Sequence, residues 1–287
     1  AFVTFDGKEG AHPFTIASAE RSDKSDHSDR TIDFQIKALG DYTQGLAQRL
    51  QVGQSVRVEG PYGRFDLARR NPKAHQIWIA GGIGVTPMIA MAHRLHALGK
   101  PFDFHYSAAS RTTAGFLKDL AQAPWGHRVQ FHFKDEGQRA ELMQLLPDYA
   151  PGHHVYTCGA PRFMDGVFEA AAAHGWPQDA LHREYFSVPE ADAWVNQPFE
   201  LLLQKSGRRL QVPAERSATE VLAEAGVGVS VKCSDGLCGV CALPYDAHAS
   251  DAVEHRDFVL SHKERQHKII LCCSRAQHPQ GLIVLDM

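Results

Sequence analysis

The chain has 287 residues, of which 44% are hydrophobic and 22% are charged, and its formal net charge is −3. This length allows two or three domains of an ordinary globular protein. The weak negative charge gives no electrostatic reason to expect binding to nucleic acid or to an anionic membrane surface.

No apolar run is long enough to cross a membrane as a helix. The chain opens at Ala1 in a strand-like alternation, without an initiator methionine or a signal-peptide pattern. We therefore expect a cytoplasmic protein, with the cytoplasmic face of a membrane as an alternative location. We also expect further residues upstream of Ala1.

Residues 1–72 contain short runs that alternate at period two and are separated by turns, a pattern that predicts an antiparallel β-barrel. The predicted strands are 2–4, 12–18, 31–37 and 55–59, and residues 22–30 form a charged loop. A barrel of this type needs about six strands. We therefore expect this domain to be N-terminally incomplete.

Three motifs in this segment resemble the flavin barrel of the ferredoxin-NADP reductase superfamily. They are His12-Pro-Phe-Thr15, residues 36–46 and residues 59–65. The HPFT form is similar to the ferric reductase and NADPH oxidase branch, which implies FAD. The alternative is FMN, which the three-domain oxygenase reductases carry.

The same resemblance implies which residues bind the flavin. Phe14 and Thr15 would lie along the isoalloxazine, with the Thr15 hydroxyl near the reactive N5 atom, where it would support hydride acceptance. The other implied flavin contacts are His12, Pro13, Lys37, Tyr42 and Thr43, of which the last three would bind the pyrophosphate and adenosine portion.

Residues 73–187 alternate between strand and helix, which predicts an α/β domain with a parallel sheet. A buried strand, 76–80, runs into Gly81-Gly-Ile-Gly-Val-Thr-Pro87 and a helix at 88–98. A glycine-rich loop before a helix directs backbone N–H groups at a phosphate. The string resembles the superfamily's nicotinamide-pyrophosphate loop, which implies binding by Gly81, Gly82, Gly84, Val85, Thr86 and Pro87.

The next predicted strand, 102–106, is followed by Ser110 and Arg111. An acidic residue after this strand would bind the ribose hydroxyls of NADH, whereas a cation would accommodate the 2′-phosphate of NADPH. We therefore expect NADPH, with NADH as the alternative. A solvent-facing loop with an incidental arginine would have the same sequence.

Two further motifs resemble sites near the reacting atoms. Cys158-Gly-Ala-Pro161 resembles the superfamily's C-G-P-x-x-M signature, which implies that Cys158 and Gly159 contact the nicotinamide. A buried structural cysteine is the alternative. Residues 181–187 resemble a strand of the phthalate dioxygenase reductase family, in which an acid and an aromatic approach the flavin. That resemblance implies roles for Glu184 and Phe186.

Residues 188–198 read as a linker, and residues 199–287 follow the order hairpin, helix, cysteine loop. Ser217 and Glu220 form a predicted capping box at the start of the helix. This order resembles a plant-type ferredoxin with the β-grasp α+β fold.

The cysteine loop has the spacing C-x4-C-x2-C, formed by Cys233, Cys238 and Cys241. With one distant cysteine, this is the ligand pattern of a plant-type 2Fe–2S cluster. Zinc sites usually carry two C-x2-C pairs, and only one is present here. Adjacent side chains of a strand point to opposite faces, so only one of Cys272 and Cys273 would be a ligand. The family's C-x-S-R-A ending implies that it is Cys272.

These features together predict a multidomain NAD(P)H-dependent oxidoreductase that passes electrons through flavin to a 2Fe–2S cluster. The acceptor is either a Rieske-type oxygenase or the haem of a ferric-reductase-like membrane protein whose cytosolic part is this chain. A non-catalytic redox sensor or a zinc-stabilised binding module is the alternative from another class.

Overall fold

The computed structural model describes residues 1–5, 10–18, 31–67, 75–189 and 194–287. The predicted loop at 22–30 and the predicted boundary between residues 72 and 73 lie outside these residues, as does part of the predicted linker. The chain divides into two units. Unit 1 is Ala1–Pro61 with Phe65–Glu184, and unit 2 is Tyr62–Arg64 with Tyr185–Met287.

Unit 1 contains most of the predicted flavin and nicotinamide segments, and residues 62–64 and 185–187 of those segments belong to unit 2. Its strands are β1 (Phe2–Thr4), β2 (His12–Pro13), β3 (Arg57–Glu59), β4 (Gln76–Gly81), β5 (Phe102–Ala108), β6 (Val129–Phe133), β7 (His154–Cys158) and β8 (Leu181–Glu184). Its α-helices are α1 (Gly40–Gln44), α2 (Leu46–Arg49), α3 (Val85–Ala97), α4 (Leu117–Gln122), α5 (Leu142–Leu145) and α6 (Pro161–Ala173).

The first part of unit 1 is a small antiparallel sheet in the order β2-β1-β3. The predicted strand at 31–37 is wrong, because these residues make only the isolated bridge between Ile16 and Phe34. The alternation there does not face a core: the side chain of Ile32 is 48% exposed. A strand needs a partner and a buried face, and period-two spacing reports neither.

The larger sheet of unit 1 has five parallel strands in the order β6-β5-β4-β7-β8. Trp78 on β4 stacks on Phe102 of β5, with ring centroids 4.5 Å apart, in a core shared with α3. The opposite face of β4 packs with Val167 of α6 and with Trp176. Both faces of the central strand are therefore buried, as is usual for parallel sheets.

The helix after the glycine loop begins earlier than predicted. A 3₁₀ turn at Gly82–Gly84 leads directly into α3 at Val85, so Pro87 lies within the first turn. Proline is tolerated there because the first-turn N–H groups have no partner within the helix.

Unit 2 contains the cysteine loop. Its strands are β9 (Phe199–Leu203), β10 (Arg208–Val212), β11 (Ala242–Pro244), β12 (Val253–Glu254), β13 (Lys268–Ile270), β14 (Arg275–Ala276) and β15 (Leu282–Leu285). Its α-helices are α7 (Ala218–Glu224) and α8 (His262–Arg265). β9 pairs with β10 in antiparallel and with β15 in parallel orientation. The predicted capping box of Ser217 and Glu220 is present at the start of α7, and Leu222 of that helix packs into the core of the unit.

Among the described residues, none of the helices is long and apolar enough to traverse a bilayer.

Two histidine pairs join neighbouring strands of the large sheet. Nδ1 of His105 lies 3.3 Å from Nε2 of His132, and Nδ1 of His154 lies 3.0 Å from Nε2 of His182. Burial, and then the neighbouring histidine, lowers the pKa of both His105 and His182 to about 4. Each pair is therefore neutral in the folded protein at neutral pH.

These pairs predict a loss of stability in acid. Below an unfolded pKa of about 6.5, the unfolded chain binds protons that the folded chain does not, until pH falls to about 4. Lowering the pH from 7.5 to 5 should reduce the free energy of unfolding of the wild type. In His105→Gln and in His182→Gln this reduction should be smaller by about 2 kcal/mol. Urea unfolding at both pH values measures this difference, and exposed His127→Gln is the control. Equal losses in all variants would contradict the account.

Candidate functional site

The predicted nucleotide residues meet at the carboxyl ends of β4 and β7. The chain order of strands reverses between these neighbours, and ligands of such sheets bind in the crevice at this point. A Cβ at Gly84 would lie 2.1 Å from the carbonyl oxygen of Cys158 and 2.7 Å from the nitrogen of Gly159. The close backbone approach requires glycine at position 84. It brings together two motifs that are more than 70 residues apart in the sequence.

The N-terminus of α3 opens from this loop. The hydroxyl of Thr86 donates to the carbonyl of Ile83 at 2.9 Å, and no side chain caps the helix. Because α3 is 13 residues long, its N-terminal N–H groups and its dipole form an electropositive end. The predicted residues Gly81 to Pro87 therefore fit a pyrophosphate.

Cys158 and Glu184 are paired positions on β7 and β8. Cys158 is 1% exposed, and burial, followed by the charge of Glu184, raises the pKa of its thiol. Burial raises the pKa of the Glu184 carboxyl to about 7, and its Oε2 has no hydrogen-bond partner among the described residues. The thiol is therefore protonated and unsuited to nucleophilic attack. The buried Oε2 atom fits a polar ligand group, since such atoms are normally hydrogen-bonded.

The predicted flavin residues form an aromatic surface. The ring of His12 stacks on the ring of Tyr42, with centroids 3.4 Å apart, and Phe14 meets Phe5 edge-on at 5.8 Å. Both His12 and Tyr42 are half-buried. Stacked rings offer a flat face for a planar ring system, which fits a flavin.

The other predicted flavin residues are arranged differently. The hydroxyl of Thr43 donates to the carbonyl of Leu39, within its own turn. Pro13 pairs with Phe2 across the small sheet, Lys37 is exposed and Thr15 is half-buried. Contacts of these residues with a flavin stay predictions.

Arg111 has a partner that the sequence analysis missed. Its Nε lies 2.5 Å from Oε1 of Glu136, and its Nη2 lies 3.1 Å from Oε2. Glu136 follows β6, the neighbour of β5 in the sheet. The order of strands in the sheet decides this proximity, and the sequence does not show that order. Ser110 bonds within its own turn, to Thr112 and Thr113.

Glu184 is the last residue of unit 1, whereas Phe186 belongs to unit 2. The ring of Phe186 is 42% exposed. Its stacking beside a flavin stays a prediction.

In unit 2, strand pairing brings the last two predicted cysteine ligands together. β11 follows Cys241, and β13 leads to Cys272, with Ala242 opposite Ile270 in the register. The amide of Leu271 donates to the carbonyl of Cys241 at 3.4 Å. Both thiols therefore lie at the same end of this strand pair.

Hydrogen bonds between thiols link all four predicted ligands. Cys238 and Cys272 lower the pKa of Cys233, and Cys272 lowers the pKa of Cys241 to about 7. Thiolates are the form that binds iron. The same contacts raise the pKa of Cys238 and of Cys272, so the four thiols titrate as one connected group.

The loop between the first two cysteines turns tightly around this group. The amide of Asp235 donates to Sγ of Cys233 at 3.4 Å. Gly236 has φ +74°, and a Cβ there would lie 2.7 Å from Sγ of Cys273. Only glycine combines this conformation with this contact.

The donor set fits a 2Fe–2S cluster. Within the described residues, no three His, Cys, Asp or Glu side chains surround one metal position. A binuclear cluster needs only two thiolates at each iron, so the pairwise thiol contacts are the relevant observation. Apolar side chains of Leu260, Ile270 and Val231 pack around the group.

Cys272 and Cys273 do not alternate along a strand, so the predicted reason for separating them is wrong. β13 ends at Ile270, and both cysteines lie in the turn that follows. A Cβ at Gly236 in the cysteine loop would lie 2.7 Å from Sγ of Cys273, so the Cys273 side chain does not point away from the predicted ligands. The contacts of Cys272 with Cys233 and Cys241 support its role as the ligand.

Asp257 is a further residue that the sequence analysis did not assign. Its buried carboxylate accepts bonds from the amides of Val259, at 3.1 Å, and Leu260, at 2.7 Å. The amide of Phe258 donates to the carbonyl of Gly236 at 3.1 Å. Asp257 thus shapes the segment that holds the cysteine loop. An Asp two and three residues before the amides it binds is a turn signal that the sequence does contain.

Comparison with known proteins agrees with this arrangement. Residues 201–277 match the family of 2Fe-2S iron-sulfur cluster binding domains. The vanillate O-demethylase oxidoreductase of Pseudomonas sp. (strain HR199 / DSM 7063) is 34% identical over 249 residues, which cover 85% of this chain and 76% of that protein. A solved phthalate dioxygenase reductase, a modular structure for electron transfer from pyridine nucleotides to 2Fe-2S, is 28% identical, with a TM-score of 0.59. The match covers all of this chain and 86% of that one.

The chain belongs to the phthalate dioxygenase reductase family. It is an NAD(P)H-dependent oxidoreductase that passes electrons through a flavin to a 2Fe–2S cluster. The chain is also similar to an intact type IV self-sufficient cytochrome P450 monooxygenase, with 32% identity and a TM-score of 0.79. That match covers all of this chain but only 36% of the P450 chain, so this reductase spans about a third of that protein's length.

The arrangement of the cysteines predicts different outcomes for Cys272 and Cys273. Cys272→Ser should lose at least about tenfold in iron content, because serine replaces one of four thiolates. Cys273→Ser should keep the iron and the visible absorption of the wild type. Iron and sulfide assays on both purified proteins measure this. Equal loss in both variants would contradict the assignment of Cys272.

Loss of the Asp257 carboxylate should loosen the cysteine loop. Asp257→Ala removes the acceptor of two buried amides, which should cost about 1–3 kcal/mol locally. The cysteine loop should then open more often, and the cluster absorption should bleach several-fold faster in the presence of a chelator. Asp286→Ala, at an exposed position, is the control. Bleaching of the Asp257 variant at the wild-type rate would show that this segment does not hold the loop.

Proposed function

We propose that this chain reduces an oxygenase, using electrons taken from NAD(P)H. The observation that carries the proposal is the four-thiol group in a chain that also has a nucleotide crevice. A 2Fe–2S cluster exchanges single electrons, which is what an oxygenase consumes. When bound, the flavin supplies the conversion between hydride transfer and single-electron transfer.

In this proposal each segment has one task. Residues 1–72 form a flavin barrel in which Phe14, Thr15 and the His12–Tyr42 ring pair bind the flavin, and Lys37 and Thr43 bind its phosphates. The flavin is FAD, with FMN as the alternative. Residues 73–187 bind the nucleotide, residues 188–198 are a linker, and residues 199–287 form a β-grasp ferredoxin domain. The protein acts in the cytoplasm.

The residues near the reacting atoms exclude water and fix the nicotinamide. Cys158 is buried and keeps its proton, so its contribution is shape and an apolar contact. Glu184 has a pKa near the neutral range, so its carboxyl can donate or accept a hydrogen bond with the carboxamide. Phe186 would cover the flavin until the nicotinamide displaces it.

The acceptor has two candidates. The similarity to vanillate O-demethylase oxidoreductase favours a separate oxygenase, of the Rieske type. The similarity to a self-sufficient P450 favours a haem monooxygenase on the same polypeptide. A ferric-reductase-like membrane haem, expected from the HPFT motif, stays a prediction.

The proposal predicts that electron output depends on the cluster while electron uptake does not. In Cys233→Ser, NAD(P)H should still bleach the flavin absorption under anaerobic conditions, but reduction of cytochrome c, a one-electron acceptor, should fall at least about tenfold. Cys273→Ser is the matched control and should behave as the wild type.

Full cytochrome c reduction by Cys233→Ser would contradict the route through the cluster. A colourless protein that does not react with NAD(P)H would instead indicate a zinc-stabilised module or a sensor. HPLC of the released flavin distinguishes FAD from FMN.

A further inference from the structure

The pairing of Arg111 with Glu136 affects how the enzyme chooses its nucleotide. Arg111 follows β5, where the adenosine ribose of a bound dinucleotide is recognised in sheets of this kind. The ion pair is bidentate: Nε of Arg111 lies 2.5 Å from Oε1 of Glu136, and Nη2 of Arg111 lies 3.1 Å from Oε2 of Glu136. The guanidinium also lies 4.4 Å above the ring of Phe133.

The surrounding loops hold this pair in place. The amide of Asp135 donates to the carbonyl of Ala109 at 3.1 Å, which joins the turn after β6 to the turn after β5. Ser110 is bonded to Thr113 within its turn. The hydrogen bond between the two turns therefore holds Glu136 next to Arg111. Asp135 adds a second negative charge near the arginine.

The charges at this position do not match a phosphate. The charges that act on Arg111 are those of Glu136 and Asp135, and these three side chains together carry one negative charge. Lys134, in the same turn, carries a positive charge. A 2′-phosphate would have to displace Glu136 from the guanidinium and then remain next to two carboxylates. A ribose 2′-hydroxyl could donate to Glu136 and leave the ion pair intact.

We propose that Glu136 is a specificity-determining residue, and that it biases this reductase towards NADH and against NADPH. The inference rests on the proposed function, because it concerns the nucleotide of that same site. Arg111 is 56% exposed in its side chain, and exposed ion pairs are weak. We therefore expect NADPH to be a substrate with a lower kcat/KM than NADH.

The test is the ratio of kcat/KM for NADPH to that for NADH, measured with the holoenzyme and cytochrome c as acceptor. Glu136→Gln keeps the size of the side chain and removes its charge. We expect it to raise this ratio about tenfold, chiefly through KM for NADPH. The effect should shrink at high ionic strength, because salt screens exposed charges.

Two further variants separate this mechanism from a general change of surface charge. Glu169→Gln, on the exposed side of α6, makes the same change of charge and should leave the ratio unchanged. In an Arg111→Gln background, Glu136→Gln should gain less than in the wild type, because it still removes a repulsion but releases no arginine.

An unchanged ratio in Glu136→Gln, or an equal gain with and without Arg111, would overturn the inference. If neither nucleotide bleaches the flavin of the wild type, the proposed function itself fails. That outcome is visible before any ratio is measured.

Discussion

The structure of unit 2 depends on a single electrostatic constraint, which is that four thiol groups are held close together. As thiolates they repel one another unless cations lie between them. The tight loop at Gly236, the pairing of β11 with β13 and the buried carboxylate of Asp257 all serve to keep these thiols together. Once all four are thiolates, bound iron would therefore relieve a repulsion that their proximity creates. Metal binding and loop stability are coupled in such sites.

In unit 1 the corresponding constraint is steric, whereas in unit 2 it is electrostatic. The backbone of Gly84 packs against the carbonyl of Cys158, and that contact fixes two loops at the point where the order of strands reverses. The buried Glu184 stands at the end of the adjacent strand. A crevice built from backbone and one buried carboxyl suits a ligand whose phosphates need N–H groups and whose reacting ring needs a dry surface.

The motifs that lie on contiguous residues could be predicted from the sequence. Each of these motifs is defined by the types and spacing of a few adjacent residues. They are the cysteine spacing, the GGIGVTP loop and the capping box at Ser217. Features that depend on a distant partner could not be predicted in this way. Glu136 meets Arg111 only because β6 lies next to β5, and the alternation at 31–37 forms no strand because Ile32 remains exposed. The prediction that Cys273 faces away from Cys272 failed for a local reason. The strand β13 ends at Ile270, before both cysteines, so the alternation of a strand does not apply to them.

The central claim is that one chain carries both a two-electron and a one-electron centre, and that nucleotide reduces both. An anaerobic titration with NADH, followed by absorption and by electron paramagnetic resonance of the cluster, tests it most directly. The account predicts uptake of about three electrons per chain, two by the flavin and one by the cluster. Uptake of about two electrons, with an oxidised and silent cluster, would contradict it.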